Sequence, residues 1–255
     1  MATVMRKNIM ASIFVAILAT CSVFAEEAMV NGINWRYSVS GNTACIEGFA
    51  NMPATGGKSV VELNLEMIRN KICDKNLVIP GKIGKYVVTS IGERAINVSD
   101  GPASIVVPKS VTVIGTGAFF GSVHLKSISL PPKLTAIPEA LFHSSWNLKA
   151  VKIPASVKSI GVEAFAECRG LKSMTIPKGV TDIGCQAFRD CSNLASVFIP
   201  ASVTNIGENA FANCKKLSVI YTEADRVEEL KAVIAMHNGS HGLAKVRIEA
   251  NQKFK

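Results

Sequence analysis

The stretch "SIGVEAFAECRGLKSMTIPKGVTDIGCQAFRDCSNLASVFIPASVTNIGENAFANCKKL", from Ser159 to Leu217, decides the fold because it repeats one pattern three times. Each copy reads I-G-x-x-A-F-x-x-C-x-x-L, and successive copies are 23 residues apart. The same step holds over five copies, and an earlier partial copy from Leu77 to Gly92 carries five extra residues. A constant period in this range is typical of a solenoid. Residues at the same position of successive copies form a column. One column is Pro108, Pro131, Pro154, Pro177 and Pro200, and another is Phe119, Phe142, Phe165, Phe188 and Phe211.

The chemistry of one unit predicts a flat coil of chain. The alternation in "SMTIP" and "AVKIP" has period 2 and indicates a short strand, which the proline ends. The "V-x-x-I-G" segment predicts a second turn, where glycine allows a bend, and the following Phe is expected to fill the interior. One unit cannot bury its Leu, Ile, Val and Phe side chains alone, so units must stack, with strands pairing in parallel at ~4.8 Å.

This unit resembles the treponemal-type (BspA-like) leucine-rich repeat over roughly residues 77–221. The resemblance implies a mainly β repeat solenoid, a leucine-rich-repeat-like right-handed coil with parallel strands. Members of that family are often bacterial surface proteins linked to adhesion, which makes a surface role an expectation here. Departures from the pattern are local: Pro138 replaces the glycine, Leu141 the alanine, Ser122 and Ser145 the cysteine, and Pro102 the first leucine.

The array needs caps, since its end units would otherwise expose apolar faces. Residues 26–76 are predicted as an N-terminal β cap, because alternating apolar residues precede the turn residues Ser40-Gly41-Asn42. Residues 77–221 form the predicted array. Residues 222–255 are predicted as a helix-plus-strand cap: Thr222 opens a capping-box pattern, and "AKVRIEA" alternates like a strand.

The first 25 residues are predicted to be a secretory signal peptide. They have a basic start at Arg6 and Lys7, an apolar stretch from Ile9 to Leu18, and a small-residue exit that places cleavage after Ala25. The apolar stretch is shorter than the ~20 residues of a transmembrane helix, and no later stretch is longer, so no transmembrane segment is expected. A lipoprotein signal acylated at Cys21 is the alternative. The expected location is secreted, periplasmic or cell-surface.

The charge balance is basic but gives little direction by itself. The formal net charge is +9, and removal of Arg6 and Lys7 with the leader lowers it to +7. A basic secreted protein can adhere to anionic polymers, lipid head groups or nucleic acid. Lys and Arg form no run along the chain, however, which favours a solvated surface and gives no indication of nucleic-acid binding.

No pattern indicates catalysis, a metal or a cofactor, so the chain is not expected to be an enzyme. Only four histidines are present, His237 and His241 are separated by Gly239, and there is no phosphate-binding glycine loop. Glu163 and Glu167 lie four residues apart in variable repeat positions and are interpreted as solvated surface.

The cysteines divide into three groups. One column of small side chains is interpreted as a structural ladder that hydrogen-bonds a turn, with a redox or metal column as the alternative. Cys45 and Cys73, both in the predicted N-terminal cap, are the candidate disulfide of a secreted chain. Cys185 occupies a column that looks exposed and is the candidate free thiol. The ladder consists of Ser122, Ser145, Cys168, Cys191 and Cys214.

Binding, if any, is expected on the outward residues of the strand, because those vary between copies. Lys126, Lys149 and Lys172 would stack as a basic stripe beside the strand, for an acidic partner or as a solvated edge. Phe198 and Tyr221 are either exposed interface anchors or residues packed under the C-terminal helix. The candidate ligand-binding residues are Lys126, Lys149, Lys152, Thr175, Phe198 and Tyr221.

Two functions remain open from the sequence. The first is a secreted or cell-surface, non-catalytic leucine-rich-repeat protein that binds a protein or glycan through the variable strand face, as in adhesion. The second is a structural scaffold module with no dedicated ligand.

Overall fold

The computed structural model describes residues 26–30, 33–49, 76–97, 99, 101–236 and 246–250. The predicted leader, including Cys21, and residues 50–75, including Cys73, lie outside these described residues. Within them the chain is a mainly β repeat fold built from parallel strands, with one α-helix near the C-terminal end.

Each coil contributes two short parallel strands, where the sequence predicted one strand and a turn. The second strand has only two residues in most coils, so it is too short to show an alternating pattern. Strands pair in register one repeat apart, as Ser173 does with Ser196. The first strands are β4 (Asn76–Val78), β7 (Ser104–Val106), β9 (Ser127–Ser129), β11 (Ala150–Val151), β13 (Ser173–Thr175), β15 (Ser196–Phe198) and β17 (Val219–Thr222). The second strands are β6 (Tyr86–Ile91), β8 (Val113–Ile114), β10 (Ala136–Ile137), β12 (Ser159–Ile160), β14 (Asp182–Ile183) and β16 (Asn205–Ile206).

The phenylalanine column forms the centre of the core, as predicted. All five rings are buried, and neighbouring ring centroids lie 5.2 to 5.8 Å apart. Burying one such side chain stabilises the fold by about 1.5–3 kcal/mol, and offset ring pairs add about 0.5–1.5 kcal/mol. Buried Ile, Leu and Val columns surround the rings, so each coil depends on its neighbours to keep its apolar side chains dry.

Pro138 interrupts the ladder of second strands. In the neighbouring coils a glycine N–H at this position donates to an isoleucine carbonyl of the preceding coil, at 2.8 Å from Gly161 N to Ile137 O. Proline has no N–H to donate, and the pairing of second strands stops between β8 and β10. The Phe119 and Phe142 rings are 5.8 Å apart across this joint, against 5.2 or 5.3 Å at the later joints. The joint is therefore the widest in the phenylalanine stack.

The glycine that follows the second strand is required by close approach, and the predicted role in bending the chain is wrong. A Cβ added to Gly184 would lie 2.6 Å from the backbone nitrogen of Val162 in the preceding coil. The left-handed residue, with positive φ, comes two positions later and is Gln186 in this coil (φ 56°). The glycine column thus lets backbones stack, while the left-handed residue lies two positions later. That residue is Gly117 in one coil and has a side chain in the others.

The N-terminal strands extend the ladder of second strands. β1 (Glu26–Val30), β2 (Ile33–Ser40) and β3 (Thr43–Phe49) pair antiparallel in order, and β3 then pairs parallel with β6. Trp35 is fully buried within this sheet. The extra residues of the partial first copy form a small hairpin of β5 (Lys82–Ile83) with β6.

The C-terminal elements extend the other ladder. A 3-10 turn (Ala224–Arg226) leads into helix α1 (Val227–Met236), and β18 (Arg247–Ala250) pairs parallel with β17. The two ends of the array are therefore continued on different ladders.

The predicted capping box at the start of this helix is wrong. Thr222 is fully buried as the last residue of β17, and no side chain caps the turn that follows. The Glu223 carboxylate instead accepts a hydrogen bond from the Ala201 N–H at 2.7 Å. The Arg226 guanidinium donates to the Val203 carbonyl at 2.6 Å. These side chains tie the helix start to the last coil, and the Arg226 guanidinium also contacts the Glu229 carboxylate within the helix.

The glycine column supplies a direct test of the stacking distance. We expect Gly184→Ala to lower the free energy of unfolding by about 1–3 kcal/mol, because the new Cβ must push two backbones apart. Chemical denaturation of the purified chain measures it. Gly81→Ala is the matched control, since its Cβ would meet only the Pro108 Cβ at 3.7 Å, an ordinary contact. Equal stability of the two variants would contradict the close-approach explanation.

Candidate functional site

The outward side chains of the first strands form a face whose residue types differ from coil to coil. The strands beneath it form two sheets, because pairing stops between β11 and β13. Val106, Ser129, Lys152 and Thr175 occupy the same outward position and are exposed. The residues between outward positions, such as Met174, are buried. One backbone geometry therefore presents different chemistry in each coil.

The predicted lysine stripe borders this face. Lys126, Lys149 and Lys172 each directly precede a first strand, in three consecutive coils, and all three are exposed. The Lys149 N–H donates to the Lys126 carbonyl at 3.1 Å, which fixes these two coils in register. Stacked coils thus hold like charges on one edge of the face.

Phe198 is not an exposed anchor. The register does pair it with Tyr221, as expected from the repeat, but Phe198 is only 4% exposed and Tyr221 is partly buried. The neighbouring outward residue Val219 is also buried. The outward positions are buried or partly buried in the last coils, so the accessible face ends before Phe198.

The small-residue column makes one hydrogen bond per coil to the coil before it. Each hydroxyl or thiol donates to the backbone carbonyl 26 residues earlier, which in four of five cases belongs to a core phenylalanine. The thiols lie closer to their acceptors than the hydroxyls do, because the longer carbon–sulfur bond extends further. The donors Ser122, Ser145, Cys168, Cys191 and Cys214 lie 3.4, 3.4, 3.2, 3.1 and 3.1 Å from the oxygens of Ile96, Phe119, Phe142, Phe165 and Phe188.

Burial makes the central thiols of this column unreactive. Burial raises the pKa of Cys168 and of Cys191 well above the usual value of a thiol, and neighbouring thiols raise that of Cys191 further. The thiolate, not the thiol, acts as a nucleophile and binds metals. Because both residues stay as neutral thiols, they are suited to neither role.

The remaining cysteines lie apart from this column. Cys185 is exposed. Cys45 is half-buried in β3, with its Sγ 3.8 Å from the Ile46 carbonyl oxygen, and burial raises its pKa. Cys73 lies outside the described residues, so the Cys45–Cys73 disulfide stays a prediction.

A charged cluster on the phenylalanine turn was missed from the sequence. His143 Nδ1 lies 3.1 Å from Glu163 Oε2, and its Nε2 lies 3.7 Å from Glu167 Oε1. Phe120 packs against the imidazole, with ring centroids 4.9 Å apart. The interpretation of both glutamates as solvated surface is wrong, since both are partly buried. Their spacings of 20 and 24 residues from His143 place them in the next coil, a signal visible only after the period is imposed.

Neither a metal cluster nor a membrane helix is found in the described part of the chain. No group of three His, Cys, Asp or Glu side chains there is arranged to hold a metal ion. None of the described helices is long and apolar enough to cross a membrane.

The model of the BspA type leucine rich repeat region matches residues 89–218, in six copies. The chain belongs to this family. No curated protein matches the chain at a significant level.

Several solved leucine-rich-repeat structures share this fold. A leucine rich repeat protein of T. pallidum aligns at a TM-score of 0.58 and 22% identity, over 80% of this chain and 94% of that one. A leucine rich cell surface protein of Faecalibacterium prausnitzii aligns at 0.54 and 25% identity, over 77% and 54%. A leucine-rich repeat protein of Bacteroides ovatus aligns at 0.54 and 20% identity, over 88% and 67%. The chain spans about half of the F. prausnitzii protein.

The buried thiols predict a loss of stability in alkali. Their folded pKa values lie above the unfolded value, so their contribution is complete below about pH 9 and is lost as the pH rises towards the folded values. The free energy of unfolding should fall by about 2–3 kcal/mol from pH 9.5 to 10.5 through these two thiols. Urea unfolding at both pH values measures it.

Cys168→Ser with Cys191→Ser is the subtraction control, because serine fills the same column at Ser122 and Ser145. Hydroxyls do not titrate in this range, so the double variant should lose that part of the slope. An unchanged slope in the double variant would contradict the assignment.

Proposed function

We propose that this chain is a secreted or cell-surface, non-catalytic binding protein that holds a protein or glycan on the face of its first strands. The observation that carries the proposal is the contrast between columns. The inward columns repeat nearly the same residues in every coil, whereas the exposed outward column runs Val106, Ser129, Lys152, Thr175. Variation on a fixed backbone is how solenoids build extended binding surfaces.

The absence of catalysis is proposed from the chemistry of the ionisable groups described above. The buried thiols are held in the neutral form, and the two glutamates nearest a histidine are engaged with it. A hydrolytic site needs an activated nucleophile and a base in a cleft. The strand face is a row of hydroxyl, lysine and apolar side chains and offers neither.

A location at the cell surface is supported by two independent observations. The first 25 residues read as a secretory signal, with acylation at Cys21 as the alternative. The F. prausnitzii relative of this fold is described as a cell surface protein. We therefore place the chain outside the cytoplasm, where its strand face would meet a matrix or another cell.

A scaffold without a dedicated ligand is the second candidate. It is favoured by the small size of many face residues, since Ser127, Ser129 and Ser173 provide little contact area. Interfaces usually depend on a few large side chains.

Steric blocking tests the strand face without knowledge of the ligand. Thr175→Cys, made together with Cys185→Ser, places one exposed thiol on the face, and a polyethylene-glycol maleimide then covers it. We expect labelling to abolish attachment of the chain to those members of a protein and glycan panel that the unlabelled variant binds. Surface plasmon resonance measures the loss.

The native chain labelled at exposed Cys185 is the matched control, because it carries the same polymer away from the face. Mass spectrometry of peptides verifies that each labelled cysteine is the intended one. Equal loss in both labelled proteins, or none in either, would refute binding through the strand face. A panel with no bound member would favour the scaffold.

A further inference from the structure

Charge is divided between the two halves of every coil, although it forms no run along the sequence. We define the basic half as residues 101–112, 123–135, 146–158, 169–181, 192–204 and 215–221, which contain the first strands and their flanking corners. It has eleven Lys and Arg residues and not one Asp or Glu. The cations are Lys109, Lys126, Lys133, Lys149, Lys152, Lys158, Arg169, Lys172, Lys178, Lys215 and Lys216.

The opposite half contains all the acids of the same repeats. Its stretches are residues 113–122, 136–145, 159–168, 182–191 and 205–214, which include the second strands and the phenylalanine turns. They hold one cation, Arg189, and six acids. The acids are Glu139, Glu163, Glu167, Asp182, Asp190 and Glu208.

Several of the acids contact side chains of their own half. Glu163 contacts His143 and Arg189, and Arg189 also contacts Asp190 at 3.2 Å. Across the boundary, Glu167 pairs with Arg169 at 3.0 Å, and Asp182 accepts a hydrogen bond from the Thr181 hydroxyl at 2.5 Å. All eleven cations of the basic half are exposed. The basic half is therefore a strip of one sign, with cations in five of its six stretches and none in residues 192–204.

Stacking sets these charges at a short repeat along the strip. Lys126 and Lys149 directly precede the paired strands β9 and β11, so they lie ~4.8 Å apart along the array axis. Lys172 follows in the next coil, across the joint between β11 and β13 where the pairing of first strands stops. Like charges at this distance repel, and a bound polyanion removes that repulsion while gaining attraction from several coils at once. A chain of repeated negative charge fits the strip better than a single small anion does.

The other side chains of the strip favour a polysaccharide. Exposed hydroxyls at Ser127, Ser129, Ser173 and Thr175 line the same coils, and they can both donate to and accept from sugar hydroxyls. Trp146, 45% exposed, offers one flat apolar face, with the Arg169 guanidinium 5.1 Å from its ring centroid. Proteins that bind single-stranded nucleic acid instead present a series of aromatic rings for successive bases.

The type of cation points the same way. Ten of the eleven cations are lysine, and lysine is a point charge without the two-pronged geometry by which arginine selects phosphate. Affinity should then depend on charge density and sugar contacts.

We propose that the basic half binds a linear acidic polysaccharide, carrying carboxylate or sulfate groups, that lies along the array axis across Lys126, Lys149 and Lys172. This inference rests on the proposed binding function and names its ligand class.

Four probes test the ligand class with the purified chain: heparin for sulfate, polygalacturonate for carboxylate, dextran as the neutral polymer and oligo-dT as the nucleic acid. We expect binding to heparin, polygalacturonate or both, and no binding to dextran. Binding should weaken as salt rises from about 50 to about 300 mM, because the Debye length shortens and the charges are screened. Binding of oligo-dT as tight as that of the polysaccharides would overturn the assignment. Binding to neither acidic polysaccharide would also overturn it.

A pair of charge-matched variants tests the location. Lys126→Gln, Lys149→Gln and Lys172→Gln together remove three charges from the strip, and affinity should fall by about tenfold, since three exposed ion pairs are lost. The control triple Val162→Glu, Cys185→Glu and Asn213→Glu makes the same change in net charge on the opposite half. Its positions are exposed, and Glu139, Glu208 and Glu167 already occupy the same columns.

The control should retain affinity within about twofold, while an equal fall in both triples would show a net-charge effect and overturn the strip. If no acidic polysaccharide binds, the proposed binding function is still tested separately by the blocking experiment at Thr175. That function would survive if a protein or neutral glycan were bound and the label at position 175 blocked it.

Discussion

Successive coils of this protein stand one strand spacing apart, and that short distance constrains nearly every column of the repeat. Backbones approach so closely after the second strand that a Cβ at Gly184 would lie 2.6 Å from the preceding coil. The same spacing brings the phenylalanine rings to 5.2 Å and lets a thiol reach the carbonyl of the coil before it. Where Pro138 breaks the rule, the rings move to 5.8 Å and the strand pairing stops. The residue type at several positions of the repeat is therefore determined by the distance between coils.

Much of the architecture could be predicted from the period alone, because a constant step aligns like residues and reveals which columns must be inside. The buried phenylalanines and the parallel pairing followed from that alignment. The second strand could not be predicted, since two residues such as Asp182 and Ile183 carry no periodic signal. The glycine was assigned to a bend because sequence shows a missing side chain but not the backbone that lies against it.

Candidate site residues were harder to predict than the core. Lys126, Lys149 and Lys172 are exposed as the alternation implied, but Phe198 is buried, and its place in the repeat does not distinguish it from the exposed Thr175. The contact of His143 with Glu163 and Glu167 was missed for a different reason. Their spacing looks arbitrary along the chain and becomes a contact only between adjacent coils.

The distribution of charge also becomes visible only when residues are compared between coils. Read along the chain, Lys and Arg are dispersed among other residues, and the net charge of +9 has no location. Read by position within the repeat, the cations gather on the first-strand half and the acids on the other. A solenoid converts a periodic sequence into a lengthwise stripe, so a surface property can be strong in three dimensions and invisible to any local window.

The ends of the array are continued on separate ladders, with β3 added to the second strands and β18 to the first. Each terminal strand pairs only with the coil next to it, so the middle of the array carries no information about how far away the ends are. The two ends therefore do not fix the number of coils, and whole 23-residue units can be gained or lost between them. The lysine-bearing surface can lengthen or shorten one coil at a time, and its reach can vary between related chains while the terminal joints stay the same.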